Sequence, residues 1–193
     1  HQAIEDIAIM RAIPNLTVLA PMDAIELEKM MDVIVEYEGP VYMRTNRNDL
    51  PALYPVDKPF EIGQPVVIRE GKDITVFAHG VMVSMALKAA DTLEKEGISL
   101  KVVNVSSLKP LNEEKIEEYA KDVKGIVTAE EHSYIGGLAE IIPSILKGEA
   151  IPMESVAIRD VFGQSAHSYD ELLVHYGLTE AEIIQAIKKV LGV

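Results

Sequence analysis

Glu130, Glu131 and His132 carry the densest chemistry in this chain, two carboxylates and an imidazole set between the apolar run at residues 125–129 and the glycine pair Gly136-Gly137. Such groups serve as general acids and bases or as metal ligands. Adjacent residues cannot all converge on one atom, however, and no second ligand cluster is spaced for a metal. The stretch suits a structural role better: one carboxylate accepts hydrogen bonds from a following helix N-terminus, and Gly136 and Gly137 let the backbone approach closely. Phe77-Ala78-His79-Gly80 also joins an apolar run to a helical one, yet its single glycine falls short of a Gly-x-Gly-x-x-Gly or Walker pattern for phosphate. Ser165 and His167 could touch a ligand, but without a paired base and an orienting acid a Ser-His nucleophile is not supported. His175, beside Tyr176-Gly177, fits a helix C-terminus, where a cation complements the dipole. Arg44 and Arg47 stand at and just beyond the end of the strand expected over residues 41–44, and a guanidinium fork at the carboxyl edge of a strand suits a phosphate or carboxylate. A solvated loop arginine is the plain alternative. His1 precedes a helix and could face the same crevice.

These side chains need elements to hold them. Ile4, Ile7, Ala8 and Met10 predict a helix over residues 3–12, stopped by Pro14, and a strand over 17–20 follows. Asp23 with Glu26 is a capping-box pattern that opens a helix with Leu27, Met30, Met31 and Ile34 on one face, ended by Gly39-Pro40. With the strand at 41–44 this reads αβαβ, whose strands need more sheet beside them; that sheet is expected upstream or on another chain. Pro51, Pro55, Pro59 and Pro65 mark an interdomain linker. Beyond it, strands over 65–69 and 73–78 joined at Glu70-Gly71-Lys72 predict a hairpin, and hence one antiparallel strand.

Met82, Met85, Ala86, Ala89 and Leu93 then form a helix face, followed by a strand over 99–105 and a helix over 113–121 with Asn112 at its N-cap. A strand over 125–129 leads into a loop bearing Glu130, Glu131 and His132. A helix over 137–147 contains Pro143, which should shorten or kink it. A strand over 155–159 and two helices, opened by Ser168 with Glu171 and by Thr179 with Glu182, complete the chain. Strands such as ITVFA are apolar without alternation, as expected of a sheet covered on both faces. The expected class is α/β, a mostly parallel sheet with one antiparallel strand and helices on both faces.

Composition narrows the partners. The 193 residues, 48% hydrophobic and 25% charged, suffice for a packed domain or a domain and part of another. Without cysteine there is no disulfide, thiolate metal site or cysteine nucleophile, and a reducing compartment is plausible. The net charge of -13 repels a phosphate backbone, so nucleic acid is not an expected partner. No apolar run reaches the ~18 residues of a membrane helix, and Glu5 and Asp6 stand where a signal peptide would be basic. A cytoplasmic protein without membrane contact is expected. The chain opens on His1, directly in a helical pattern, and reads as a fragment.

Four separated runs then point to one family. HQAIEDIAIMRAIPNLTVLAPMDAIE, PVYMRTNRNDLP, TAEEHSYIGGLAE and VFGQSAHSYDELLVHYGLT together resemble the carboxyl-terminal part of transketolase, of the compact type sometimes encoded as two chains. The resemblance implies a partial α/β pyrimidine-binding domain with its linker over residues 1–59 and a transketolase C-terminal domain over 60–193. It implies transfer of a two-carbon ketol unit between sugar phosphates by an enzyme using thiamine diphosphate. It implies as partners an amino-terminal part or subunit and a homodimer mate. His1 matches the histidine of the family's Gly-Pro-Thr-His-Gln stretch, near the reactive thiazolium and donor sugar, and is assigned as a catalytic helper. Arg47 matches the arginine that binds the substrate phosphate, with Arg44 nearby as a second substrate-binding candidate.

The glutamate that activates the aminopyrimidine, the aromatic residue that stacks on it and the Gly-Asp-Gly magnesium motif have no counterparts in this sequence. Thiamine diphosphate and a divalent cation such as magnesium are therefore expected in the complete enzyme, with none bound by this chain alone, which should be inactive by itself. The β subunit of a 2-oxo acid dehydrogenase and deoxyxylulose phosphate synthase share these domains and are the enzymatic rivals. A non-catalytic assembly or regulatory module is the alternative of another class. The TNRNDLP, EEHSYIGGLAE and FGQSA segments favour transketolase.

Overall fold

Short apolar runs bounded by glycine, proline and capping residues become strands and helices in strict succession. The computed structural model describes residues 3–193. In chain order the elements are α1 (Asp6–Ala12), β1 (Thr17–Leu19), α2 (Ala24–Val35), β2 (Val41–Met43), β3 (Val66–Arg69), β4 (Ile74–Ala78), α3 (Val81–Glu94), β5 (Leu100–Asn104) and β6 (Ser107–Lys109). They continue as α4 (Glu113–Ala120), β7 (Gly125–Ser133), α5 (Leu138–Ile145), β8 (Met153–Ile158), α6 (Tyr169–His175) and α7 (Glu180–Leu191). The Asp23, Asn112 and Ser168 side chains cap α2, α4 and α6 by accepting from the backbone N–H three residues on. Each such cap contributes about 1 kcal/mol. Thr179 does not cap α7 in this way; its hydroxyl donates to Glu182 instead. Pro143 lies inside α5 without breaking it.

The described residues form a five-stranded sheet in the order β3-β5-β4-β7-β8, parallel except for β3, which runs antiparallel to β5. Ile74, Val76 and Ala78 of β4 pack on one side with α3 and α7, while Phe77, Val103 and Ile126 pack on the other with α5 and Ile7 of α1. Both faces are covered, which is why all five residues of β4 are buried and its sequence does not alternate. This is the α/β class expected, with its one antiparallel strand.

Three expectations are corrected. β3 and β4 do not form a hairpin, because β5 lies between them. The link between them must pass the start of β5, and a Cβ on Gly71 would stand 2.1 Å from the Leu100 carbonyl carbon, so only glycine allows the crossing. Secondly, the sheet beside β1 is not supplied solely from upstream or another chain. β6 pairs antiparallel with β1, and β2 pairs parallel on its other side, giving a small sheet β2-β1-β6. Thirdly, β7 runs on through Glu130, Glu131 and His132 to Ser133, so these residues are in a strand and not in a loop.

The proline-rich stretch has neither helix nor strand, but it is not a loose tether. Tyr54 and Phe60 are buried, the backbone N–H groups of Leu53 and Tyr54 donate to Asp23 Oδ2, and the Tyr54 hydroxyl donates to the Pro59 carbonyl. A second polar anchor joins the small sheet to the large one. Buried Glu26 of α2 accepts from Asn104 Nδ2 at 2.8 Å and Ser106 Oγ at 2.5 Å through Oε1, and from Met22 N at 2.7 Å through Oε2.

Candidate functional site

The carboxyl ends of β1, β2, β4, β7 and β8 open on one cleft of about 940 Å³. The first turn of α3 and the start of α6 complete its wall. A crevice beyond strand ends is where open α/β sheets bind ligands, because side chains there leave the ladder and helix N-termini point inward. Arg44 and Arg47 both line it, as does Glu131.

The two arginines are held differently. Arg44 Nε lies 3.3 Å from Asp6 Oδ2, its Nη1 lies 3.7 Å from Glu131 Oε2, and its Nη2 donates to the Ala3 carbonyl at 3.3 Å. Its charge is thus engaged across α1, β2 and β7. Tyr42 Oη donates to the same Asp6 oxygen at 2.7 Å, and burial together with that carboxylate pushes the phenol up to about 12. Arg47 is exposed at the cleft, with no ion pair to another described residue. Its guanidinium is available for an anion from solution.

The backbone at Arg47 is nevertheless fixed. Asn46 Oδ1 accepts from Asn48 N at 2.8 Å, an Asx turn that encloses Arg47, and Asn46 Nδ2 donates to Tyr169 Oη at 2.6 Å. The Glu131 carboxylate also acts on the Tyr169 hydroxyl. Burial pushes the Glu131 carboxyl above its ordinary value, against the opposing pull of Arg44 and of Tyr169. Burial and Glu131 together push the Tyr169 phenol well up, so it keeps its proton.

Strand geometry divides the acidic triplet. Successive side chains alternate, so Glu131 faces the cleft while Glu130 and His132 point into the packed layer beneath α5 and α1. Glu130 is fully buried and accepts from Leu138 N at 2.8 Å and Ala139 N at 2.9 Å, capping α5. A Cβ on Gly137 would lie 2.0 Å from Glu130 Oε2, which explains the glycine there. His132 Nε2 accepts from Ala8 N at 3.4 Å, which leaves Nδ1 to donate to the Ser133 carbonyl at 2.7 Å. Burial lowers its pKa, so it stays neutral. The expected structural reading of this stretch therefore holds for Glu130, with the glycine at 137 making room for it.

His79 is fully buried, and neither ring nitrogen finds a hydrogen-bond partner among the described residues; Nε2 stands 3.7 Å from Glu130 Oε2. The adjoining Gly80, at φ 56°, begins α3 without a side-chain cap. His167 lines the cleft in an exposed loop, with its backbone N–H donating to Glu171 Oε2 at 3.0 Å; Ser165 lies in the same loop. His175 falls in the last turn of α6, edge-on to Tyr176, where a helix terminus was expected. His1 lies outside the described residues. Among those residues no three His, Asp or Glu side chains converge as metal ligands.

Asp6, Tyr42, Asn46 and Tyr169 were not foreseen as site residues. The Asn-x-Asn spacing around Arg47 is a readable Asx-turn signal, whereas nothing local marks Tyr169, which meets Asn46 across 123 positions.

A mostly parallel sheet covered by helices on both faces, with a cleft at the carboxyl ends of its strands, defines the class as a doubly covered α/β protein. Two family models give it a more specific place. Residues 63–183 match the transketolase C-terminal domain and residues 1–52 match the transketolase pyrimidine binding domain. A putative transketolase C-terminal section of Methanocaldococcus jannaschii is 40% identical over 97% of this chain and 59% of its own length. A 6-deoxy-6-sulfo-D-fructose transketolase subunit of a Clostridium species is 38% identical over 98% of this chain and 59% of its own. Among solved structures, a split gene transketolase described as an inactive beta4 tetramer superposes with a TM-score of 0.91 at 42% identity, covering 100% of this chain and 62% of that one. The chain belongs to the transketolase family, and it matches the carboxyl-terminal part of the family's fold. It spans about three-fifths of the length of these relatives.

Proposed function

We propose that this chain is the carboxyl-terminal portion of an enzyme that transfers a two-carbon ketol unit between sugar phosphates, and that Arg47 binds the substrate's phosphate. The observation that carries this reading is the exposed Arg47 guanidinium, without an ion pair among the described residues, at the strand-end cleft of a transketolase-family chain. A planar, permanently charged fork suits a tetrahedral oxyanion. The Clostridium relative is named for a sulfo sugar, whose terminal group is likewise an anion. Arg44 contributes by shaping the same wall, its own charge being balanced by Asp6 and Glu131. His1 helps at the donor sugar.

Residues 1–59 act as part of the pyrimidine-binding domain and 60–193 as the C-terminal domain. Thiamine diphosphate, which carries the two-carbon unit when bound, and a divalent cation such as magnesium are held in the complete enzyme with an amino-terminal partner, in a homodimeric assembly in the cytoplasm. The similar structure described as inactive supports the view that the isolated chain does not turn over.

Mixing the purified chain with an amino-terminal transketolase subunit, thiamine diphosphate and magnesium should produce ketol transfer from a ketose phosphate, with neither subunit active by itself. Turnover by this chain alone, or use of pyruvate in place of the ketose donor, would sink the proposal.

A further inference from the structure

The hydrogen bonds around Arg47 reach beyond its own loop. Arg47 is exposed, and its position rests on its neighbours. Asn46 alone fixes the turn: its Oδ1 accepts from Asn48 N at 2.8 Å and from Asn48 Nδ2 at 3.1 Å, so its remaining polar atom, Nδ2, must be the donor to Tyr169 Oη at 2.6 Å. Tyr169 Oη thus holds the turn from outside the loop. Glu131 is paired with Arg44, two residues before Asn46 on the same loop. The loop from 44 to 48 is thus held at Arg44 by residue 131 and at Asn46 by residue 169, which lie far along the chain on β7 and α6.

We propose that Tyr169 and Glu131 are positioning residues that aim Arg47, so that the carboxyl-terminal part of the chain sets the affinity for the anionic end of the sugar substrate. Neither residue touches the anion in this account. Tyr169 holds the Asx turn through Asn46, and Glu131 holds Arg44 at the start of the same loop. Freed of these bonds, the turn samples more conformations, and each productive encounter with the anion must restore the lost order. The inference rests on Arg47 being the phosphate-binding residue, and the test separates the two claims.

Tyr169→Phe removes only the hydroxyl and keeps the ring. In the complex reconstituted with the amino-terminal subunit, we expect about a three- to tenfold rise in KM for a phosphorylated ketose, the size of one lost positioning hydrogen bond. The change should stay within about twofold for a ketose without the phosphate, such as erythrulose. On the isolated full chain, Tyr169→Phe and Asn46→Ala should each speed trypsin cleavage after Arg47 several-fold, at an unchanged thermal midpoint, because cleavage follows local opening. Equal losses with both ketoses would reduce Tyr169 to a structural residue and overturn the inference, as would unaltered cleavage. If Arg47→Ala left the KM for the phosphorylated ketose unaltered, the phosphate reading would fall, while faster cleavage in Tyr169→Phe would still establish the grip on the loop.

Discussion

Replacing Glu26 by glutamine should change the pH dependence of folding more than its size. Glu26 is fully buried between α2 and the end of β5, and its carboxyl is pushed from an ordinary 4.5 up to about 7. Burial is the largest cause, and the Asp23 charge acts the same way; the hydrogen bonds from Ser106, the Met22 backbone and Asn104 pull against them. For a carboxyl raised on folding, the native state holds the proton longer than the unfolded chain. Its contribution is therefore fully present below pH 4.5 and is lost as pH rises through about 7. By linkage the shift amounts to about 3 kcal/mol, most of which falls between pH 5 and pH 8.

Glutamine does not titrate, and its amide N–H would face the Met22 N–H or the donors on Asn104 and Ser106, at a cost of about 1–3 kcal/mol relative to protonated Glu26. Urea unfolding of the wild-type chain and Glu26→Gln from pH 5 to pH 8 checks this. The stability gap between them should be widest at pH 5 and should narrow by about 2–3 kcal/mol by pH 8. A gap that stays constant or widens with pH would refute the reasoning.

Two further substitutions probe the packing that places the cleft. Gly71→Ala drives a Cβ against the Leu100 backbone, where no side chain can give way, and should cost about 2–3 kcal/mol by denaturant unfolding; a neutral result would contradict the crossing of β5. His132→Ala removes a buried imidazole and leaves Ala8 N and the Ser133 carbonyl unpaired, for about 2–4 kcal/mol of stability. In the reconstituted enzyme its turnover at saturating substrate should stay near wild type, and a hundredfold loss with assembly intact would place chemistry at His132.

The elements themselves were largely readable, because apolar runs, prolines and capping residues act locally. Asp23, Asn112 and Ser168 do cap helices, and ITVFA is a strand buried on both faces. What escaped was set by distant contacts. The short link through Glu70-Gly71-Lys72 has a hairpin's composition, yet β5 inserts between its flanking strands, and the only hint was a glycine that the Leu100 backbone requires. β6 is three residues long, too short for a periodic signal, and exists because β1 offers it an edge. β7 overran its expected end because Glu130 and His132 are polar residues whose partners, the N-terminus of α5 and the Ala8 N–H of α1, come from elsewhere.

The site divides the same way. The family resemblance singled out Arg47 and Arg44 from their local motif, while the residues that hold them, Asp6, Glu131 and Tyr169, are joined only by folding.

The most direct test of the central claim is the kinetics of Arg47→Ala in a complex reconstituted with an amino-terminal transketolase subunit, measured with a phosphorylated and a non-phosphorylated ketose. Loss of a charge-assisted contact to the phosphate, about 1.5–3 kcal/mol, predicts a KM for the phosphorylated donor higher by about ten- to a hundredfold, with kcat little changed and the other donor affected less than about twofold. Equal KM values for wild type and variant with the phosphorylated donor would contradict the account.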